Sequence, residues 1–378
     1  MSETTRRHLI EPNRNLEAFS LLWCDANVHQ TEENRNTQSE LRDTINYLKT
    51  FININESEQY VKQSENTKII LIVSGKIGEQ LVASVITTTK DLIEYISIDH
   101  IKHREIDEVE MKFDTFNLAT VSQQTSNASF IWFRLLIEHI IRLTEGSSVP
   151  ELIQIATQQY NGNKKELDII DEFSSTFSPS KSLYWYTGES FLYRLLNKSL
   201  RETDIDMMIY FRSIIQDLNQ QLALEKPFDG SIITVYRGQI IDKTELCSIR
   251  SNQTSYLSLL KKTPPSNGLE AVLLEIEVDT KLQSIKPFAD ITYLSVYQYE
   301  EEILFSLGCL LKVKEVVHDA NEDLWVMKLV LCSVDDSSIM KDFYDEMKSR
   351  INENVDLISF TDFLYDMNVG FDTEHKYR

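Results

Sequence analysis

Three consecutive glutamates, Glu300, Glu301 and Glu302, stand directly before an apolar run, ILFSLGCLLKV, that predicts a strand. In a strand, residues i and i+2 point to the same face, so we expect Glu300 and Glu302 to share one face, roughly 6–7 Å apart along the backbone. Two carboxylates in one cleft suit chemistry at a glycosidic carbon, where positive charge develops. The alternative is a solvated acidic turn opening an edge strand, and the glutamates alone favour that interpretation.

Two other predicted strands carry polar residues. The segment VYRGQ places Arg237 beside Gly238 at the end of a strand. An arginine there can bind a pyrophosphate with two parallel hydrogen bonds, and the glycine lets a ligand approach the backbone closely. In SYLS, Tyr256 and Ser258 share one face of the next strand. Each feature alone fits an ordinary surface strand, but the order Arg, Ser, Glu-x-Glu on three separate strands is much less expected by chance.

The composition excludes several classes of function. A chain of 378 residues predicts two or three domains, and a net charge of −21 argues against binding to a nucleic-acid backbone. The four cysteines have no short metal-binding spacing, so neither a metal site nor a disulfide scaffold is predicted. No signal peptide is predicted, and the apolar run at 68–86 contains charges and a glycine, so no membrane span is expected either. These features predict a cytoplasmic protein.

The predicted elements change character along the chain. Strands and helices alternate at the start, which predicts a small parallel α/β unit; the strands are 19–28, 68–75 and 91–98, and the helices are 31–51 and 77–89. Asp25 ends the first strand, where α/β folds often bind ligands, although a role in a turn or cap is favoured. Residues 128–222 are predicted to be helical, with helices at 129–143, 189–202 and 207–224. Strands follow at 231–239, 254–260, 271–278, 302–317 and 324–334, so this part is α+β.

With Arg237, Ser258 and the segment Glu300 to Glu302 in this order, the chain resembles the arginine-specific mono-ADP-ribosyltransferases. This is the Arg-Ser-Glu class, whose fold is shared with some bacterial toxins. The segment LYWYTGESFLYRLLNKSLR (183–201) looks like the family's YT…LY…N…LR signature. The segments VYRG, SYLSLL and EEEILF resemble its Arg, SFxSTS and Glu-x-Glu motifs. The chain departs from the pattern at Leu259 and Leu260, where the family has Thr and Ser.

The resemblance implies an ADP-ribosyltransferase fold, with a helical lobe and a mixed β-sandwich core, beside an N-terminal small parallel α/β domain. The expected boundaries are a disordered N-terminus at 1–14, the α/β domain at 15–112, a helical connector at 113–149, the transferase domain at 150–340 with its helical lobe ending at 225 and its β core at 226–340, and a helical tail at 341–378.

The resemblance also implies that NAD is the substrate and that no metal is needed. Arg237 would bind the pyrophosphate and the Gly238 backbone the nicotinamide amide, with Tyr256 also among the cofactor-binding residues. Ser258 would orient both the nicotinamide ribose and Glu302.

The two outer glutamates are given different roles by the resemblance. Glu302 would stabilise the oxocarbenium-like state and bond the ribose 2′-hydroxyl, and Glu300 would receive the guanidinium of an arginine-bearing protein acceptor. Two alternatives stay open. An NAD glycohydrolase would use water as acceptor, and a catalytically inactive NAD-binding or interaction module is favoured by Leu259 and Leu260.

Overall fold

The chain divides into two compact units. This computed structural model describes residues 15–17, 19–63, 68–73, 112–117, 124–143, 149–225, 228–251, 255–260, 269–282, 285–299, 301–349, 360 and 363–364. The first unit contains the described part of Met1–Glu108 together with Pro150–Phe177 and Glu189–Lys198. The second contains the described part of Val109–Val149, Ser178–Gly188 and Ser199–Arg378.

The first unit is built on a parallel sheet, as the alternation of strands and helices predicts. Its strands are β1 (Phe19–Cys24), β2 (Leu48–Phe51) and β3 (Lys68–Val73), in the order β2-β1-β3. Helix α1 (Glu32–Thr44) connects β1 to β2, and helix α2 (Ile54–Gln63) precedes β3. The predicted helix at 77–89 and the predicted strand at 91–98 lie outside the described residues.

The predicted helix at 31–51 is too long, because β2 occupies its last residues. The helix ends where Ile45 takes an extended conformation, with φ −122° and ψ 133°. The apolar spacing of Leu41, Ile45 and Leu48 does continue one helical pattern. However, Leu41, Ile45 and Leu48 all pack in the same core cluster with Leu21 of β1. A short strand can bury Leu48 in that cluster as well as a helix can, so the apolar spacing does not distinguish the two.

Asp25 closes the turn after β1. Its carboxylate accepts a hydrogen bond from the backbone N–H of Asn27 at 2.6 Å, and its own N–H donates to the Phe51 carbonyl at 3.0 Å. Short Asx turns of this kind are the usual local use of aspartate beside a strand. The turn role favoured by the sequence is therefore confirmed.

The first unit contains a buried ionic cluster. Its residues lie on or beside three helices, α4 (Val149–Gln159), α5 (Lys164–Thr176) and α7 (Phe191–Glu202); Val149 of α4 and the end of α7 belong to the second unit. Arg194 on α7 binds Glu17 at 3.1 Å and Glu166 at 2.6 Å, and the Tyr160 hydroxyl donates to Glu17. Burial raises the pKa of Glu17, but the Arg194 charge and the Tyr160 hydrogen bond outweigh burial and leave that pKa lowered. Part of the LYRLLN motif therefore serves packing, with Arg194 holding the segment that carries Glu17.

The second unit contains a six-stranded mixed sheet and a two-stranded one. Its strands are β4 (Lys112–Asn117), β5 (Ile232–Asp242), β6 (Ser255–Leu260), β7 (Leu269–Asp279), β8 (Phe288–Asp290), β9 (Ile303–Phe305), β10 (Leu310–Asp319) and β11 (Leu324–Cys332). The large sheet has the order β4-β6-β10-β11-β7-β5; β7 and β11 are parallel and the other pairs are antiparallel. Strands β8 and β9 pair with each other. The α+β character is confirmed, and the sandwich arrangement of the core stays a prediction.

Two predicted segments of the second unit are wrong in part. The strand predicted at 302–317 is two strands, because β9 ends at Phe305 and the chain turns through Gly308, whose φ is +78°, before β10. The segment at 113–149, predicted as a helical connector, begins with β4 and becomes helical only at α3 (Gln124–Arg142). Strand β4 pairs with β6, more than 130 residues later, and such a partner leaves no short-range pattern.

The remaining helices of the second unit are α6 (Ser182–Thr187), α8 (Ile205–Tyr210), α9 (Arg212–Leu224), α10 (Lys243–Ser251) and α11 (Ser338–Ser349). The helix predicted at 207–224 is interrupted at Phe211, between α8 and α9, and α10 was not predicted. The apolar core of the large sheet includes Leu274, Met327 and Leu329, and Phe288 and Phe305 of the small sheet pack against it. Among the described residues, no helix is both long and apolar enough to cross a membrane.

Candidate active site

Arg237 lies on the face of β5 that packs against the core, yet its side chain is exposed. Residues i and i+2 share a face in a strand, so Arg237 belongs to the same face as Val235 and Gln239. Val235 packs on the core cluster and Gln239 is only 5% exposed. Strand β5 is an edge strand of the large sheet, and the Arg237 guanidinium is accessible to a ligand there.

Gly238 follows on the other face of β5 and is also exposed. A Cβ atom built there would meet no heavy atom within 4 Å, so packing within the described residues does not require a glycine. The Gln239 side-chain amide donates to the Gly238 carbonyl at 2.7 Å, while its buried Oε1 accepts no hydrogen bond from the described residues. A buried acceptor without a partner is costly to the folded state.

Ser258 and Tyr256 lie on β6, the second strand of the large sheet. Ser258 pairs with Leu310 on one side and Asp114 on the other, and Tyr256 pairs with Lys312 and Phe116. Their spacing of two residues within one strand agrees with the predicted shared face. Their side chains lie outside what the structure describes.

The strand pairing does not place Arg237 next to Ser258. Through the register, Ser258 lies level with Cys332 on β11, and Arg237 lies level with Met327. Five residues along a strand span about 16 Å, and the four strand spacings between β6 and β5 span about 19 Å in a flat sheet. A twist of about 20–25° per strand would rotate β5 by about 80–100° relative to β6. The register therefore does not bring Arg237 and Ser258 together, and their role in one NAD site stays a prediction.

Glu302 immediately precedes β9 and is partly exposed. The predicted strand does not include Glu302, because β9 begins at Ile303, and Glu301 has a φ of +49°. The shared face of Glu300 and Glu302 stays a prediction. A left-handed residue interrupts the extended backbone on which the i, i+2 rule depends. Glu300 itself lies outside the described residues.

The Glu302 backbone and side chain are both held by the segment that follows β8. The N–H of Ile291 donates to the Glu302 carbonyl at 2.9 Å, which extends the β8–β9 ladder by one bond. The Ser295 hydroxyl donates to Glu302 Oε2 at 2.7 Å, and Ser295 is only 2% exposed. A carboxylate accepts at about four lone-pair positions, so this single bond leaves capacity for a ligand hydroxyl.

The turn segment, defined as residues 291–299, is fixed to neighbouring helices by polar contacts. The N–H of Val296 donates to the Thr187 hydroxyl at the end of α6, at 3.1 Å. The Tyr293 hydroxyl donates to Glu225, the residue that follows α9. The sequence does not indicate Ser295 as a site residue. It indicates Thr187 only as part of the segment LYWYTGESFLYRLLNKSLR.

A second cluster supports the loop that follows β9. Arg134 on α3 donates to the Gly308 carbonyl at 2.9 Å, and Glu138 lies 3.6 Å from Arg134 and 3.9 Å from Lys286. Burial lowers the pKa of Lys286 to about 8, and the nearby Glu138 carboxylate opposes that shift. The Tyr344 hydroxyl also donates to Glu138, at 2.7 Å. Helices α3 and α11 therefore fix the chain just after the strand that Glu302 precedes.

Comparison with known proteins gives matches among solved structures alone. No family model matches the chain, and no curated protein does. The ADP-ribosyltransferase Vis from Vibrio splendidus, in complex with an inhibitor, is 18% identical, with a TM-score of 0.33 and coverage of 52% of this chain and 90% of Vis. HopU1 of Pseudomonas syringae is 16% identical, with a TM-score of 0.28 and coverage of 53% and 97%. The C3stau2 structure from S. aureus, solved with NAD, is 14% identical, with a TM-score of 0.29 and coverage of 50% and 99%.

TM-scores of this size do not establish a shared fold, so the function proposed below rests on residues of this chain. Within the described part of the chain, no group of three His, Cys, Asp or Glu side chains could hold a metal ion. The structure describes an oriented carboxylate at Glu302 and, on strand β5 of the large sheet, an exposed guanidinium at Arg237. The guanidinium suits a phosphate group, and the carboxylate suits a centre that develops positive charge during reaction.

Proposed function

We propose that this chain is an ADP-ribosyltransferase that transfers ADP-ribose from NAD to arginine side chains of proteins and releases nicotinamide. The observation that carries the proposal is Glu302, whose carboxylate is oriented by a hydrogen bond from Ser295 and remains partly exposed. It stands in the EEEILF segment that resembles the family's Glu-x-Glu motif. Arg237 adds an exposed cation on an otherwise covered strand face, in the segment that resembles the family's Arg motif.

In the proposed reaction, the bond between the nicotinamide nitrogen and the ribose carbon breaks, and its electron pair leaves with nicotinamide. The ribose carbon becomes positive, as in an oxocarbenium ion. The Glu302 carboxylate stabilises that charge and accepts a hydrogen bond from the ribose 2′-hydroxyl. Arg237 binds the pyrophosphate, which keeps the ADP half of the substrate in place. Tyr256 and Ser258 complete the NAD site on β6.

An arginine guanidinium nitrogen of the acceptor then bonds to the ribose carbon and loses a proton. Glu300 pairs with the incoming guanidinium through two hydrogen bonds and accepts that proton. No metal ion is needed in this scheme, because the developing charge is positive and a carboxylate stabilises it.

Replacing Arg237 with alanine is expected to weaken NAD binding. A hydrogen bond to a charged group contributes about 1.5–3 kcal/mol, which corresponds to roughly 10- to 150-fold in the dissociation constant. Because the side chain is exposed, the melting temperature should stay close to that of the parent. Titration calorimetry with NAD measures the effect. Lys243→Ala, which removes another exposed cation, is the control for loss of positive charge. Equal affinities of parent and Arg237→Ala would place the phosphates elsewhere.

Replacing Gly238 with alanine separates binding from stability. No heavy atom lies within 4 Å of the added methyl position, so the protein should tolerate it, and removing a strand glycine favours folding by about 0.5–1 kcal/mol. The added methyl group points to the face of β5 opposite Arg237, so it should cost about 1–3 kcal/mol of NAD binding if the nicotinamide half of NAD contacts that face. Thermal unfolding and calorimetry together test the prediction. A variant that is more stable and binds NAD as well as the parent would show that NAD does not contact the face of β5 opposite Arg237.

A catalytically inactive binding module is the second candidate, favoured by Leu259 and Leu260 in place of the family's Thr and Ser. Incubating the purified chain with NAD and separating nicotinamide by chromatography decides between the two. Nicotinamide release above the rate in buffer supports the transferase proposal. NAD binding without release would support the inactive module.

A further inference from the structure

We propose that Ser295 is the residue that positions the Glu302 carboxylate for reaction, a role that the sequence resemblance gives to Ser258. This inference rests on the proposed function for its kinetic consequence. Ser295 donates its hydroxyl proton to Glu302 Oε2 at 2.7 Å, a distance typical of a strong hydrogen bond to a carboxylate. Ser295 lies within the turn segment, seven residues before Glu302.

The Ser295 hydroxyl has a fixed direction because it makes two hydrogen bonds. Its oxygen accepts from the backbone N–H of Tyr297 at 3.1 Å, while its proton goes to Glu302. The Ser295 N–H donates to the Ile291 carbonyl at 2.8 Å, so its backbone is also fixed. At 2% exposure the hydroxyl is shielded from water, which would otherwise compete for the carboxylate.

The same segment fixes Glu302 from the backbone side. Ile291 accepts from Ser295 and donates its own N–H to the Glu302 carbonyl at 2.9 Å. Backbone and carboxylate of Glu302 are therefore held by two residues of one short turn. The Val296 N–H binds Thr187 at 3.1 Å, so the turn is in addition tied to the end of α6. With both ends held, the carboxylate has one orientation before substrate arrives, which is how a positioned group contributes most to catalysis.

Kinetic comparison of Ser295→Ala with the parent tests the role. We expect kcat for nicotinamide release to fall by about 10- to 100-fold, because misplacing a reacting group by about 1 Å costs on the order of 10²-fold. The KM for NAD should stay within about twofold, since the lost interaction acts on the reacting group and not on substrate binding. Thr292→Val is the matched control: it removes a hydroxyl that donates to Asp290 at 2.6 Å within the same turn and does not touch Glu302. That control should keep the parent kcat.

A double-mutant cycle distinguishes positioning from a general structural effect. If Ser295 acts through the carboxylate, then Ser295→Ala should not lower the residual rate of Glu302→Ala any further. The inference would be overturned if the Ser295→Ala variant kept the parent kcat. It would also be overturned if adding Ser295→Ala slowed Glu302→Ala as much as it slows the parent.

Crystal structures of the parent and Ser295→Ala keep the inference testable even if the parent releases no nicotinamide and the proposed function fails. We expect the Glu302 carboxylate to leave its position in the variant while residues 303–305 stay in place. A Glu302 carboxylate that keeps its position in the variant would overturn the inference, whether or not the parent releases nicotinamide from NAD.

Discussion

Replacing Glu302 with glutamine is expected to slow nicotinamide release by about 10²–10³-fold, the usual effect of removing one electrostatic stabiliser of a transition state. Glutamine keeps the size of the side chain and an oxygen that can accept the Ser295 hydrogen bond, so the fold should be preserved. What it loses is the negative charge opposite the developing positive charge. NAD affinity should stay near that of the parent, because the pyrophosphate is bound elsewhere.

The neighbouring glutamate provides a matched control for this prediction. Glu301→Gln makes the same chemical change one residue earlier, at an exposed side chain. Its backbone conformation, with φ at +49°, is strained to a similar degree for Glu and Gln. Nicotinamide release by Glu301→Gln should match the parent. If Glu302→Gln also matches the parent, or if both variants lose activity equally, Glu302 is not the catalytic carboxylate.

Replacing Glu300 with glutamine is expected to separate transfer from hydrolysis. Glu302 serves bond cleavage, which every acceptor needs, whereas Glu300 serves the arginine acceptor alone. A neutral amide can still accept a hydrogen bond, but it neither pairs with a cation nor accepts a proton. Labelling of arginine should therefore fall by about 10²-fold or more, within the range for general-base removal, while nicotinamide release to water persists.

The two products must be followed separately to test that prediction, with nicotinamide measured by chromatography and the acceptor by its bound label. Glu301→Gln again controls for loss of one acidic charge in the same segment. Equal loss of both activities in Glu300→Gln would mean that Glu300 takes part in bond cleavage or in folding. Arginine labelling at the parent level would place the acceptor site elsewhere, and arginine specificity would no longer be supported.

The sequence predicts the alternating first unit and most strands of the second because those segments carry periodic apolar patterns. Strands β5, β7 and β11 lie close to their predicted positions, since each carries a run of apolar, β-branched residues long enough to read. Strand β4 was missed because its partner β6 is remote in sequence, and β2 because its apolar spacing continued that of the preceding helix. Pairing between distant segments is not encoded in local periodicity.

At the candidate site, residue types were easier to predict than their geometry. Glu302 and Arg237 were identified from their motifs, and both are accessible to a ligand. The strand predicted from Glu302 onward begins one residue later, at Ile303, and the left-handed backbone of Glu301 is a feature that no pattern of apolar residues reveals. Ser295 was missed because a serine within TYLSVYQY has no distinguishing spacing; only the folded turn brings its hydroxyl to Glu302.

Transfer of ADP-ribose to arginine is tested by incubating the chain with NAD labelled in its adenosine half, in the presence of polyarginine or, separately, polylysine. Nicotinamide release and label on the polymer are measured in the same samples, with Glu302→Gln alongside. We expect nicotinamide release, label on polyarginine but not on polylysine, and loss of both signals in Glu302→Gln. Absence of nicotinamide release with the parent, or equal labelling of the two polymers, would contradict the proposed function.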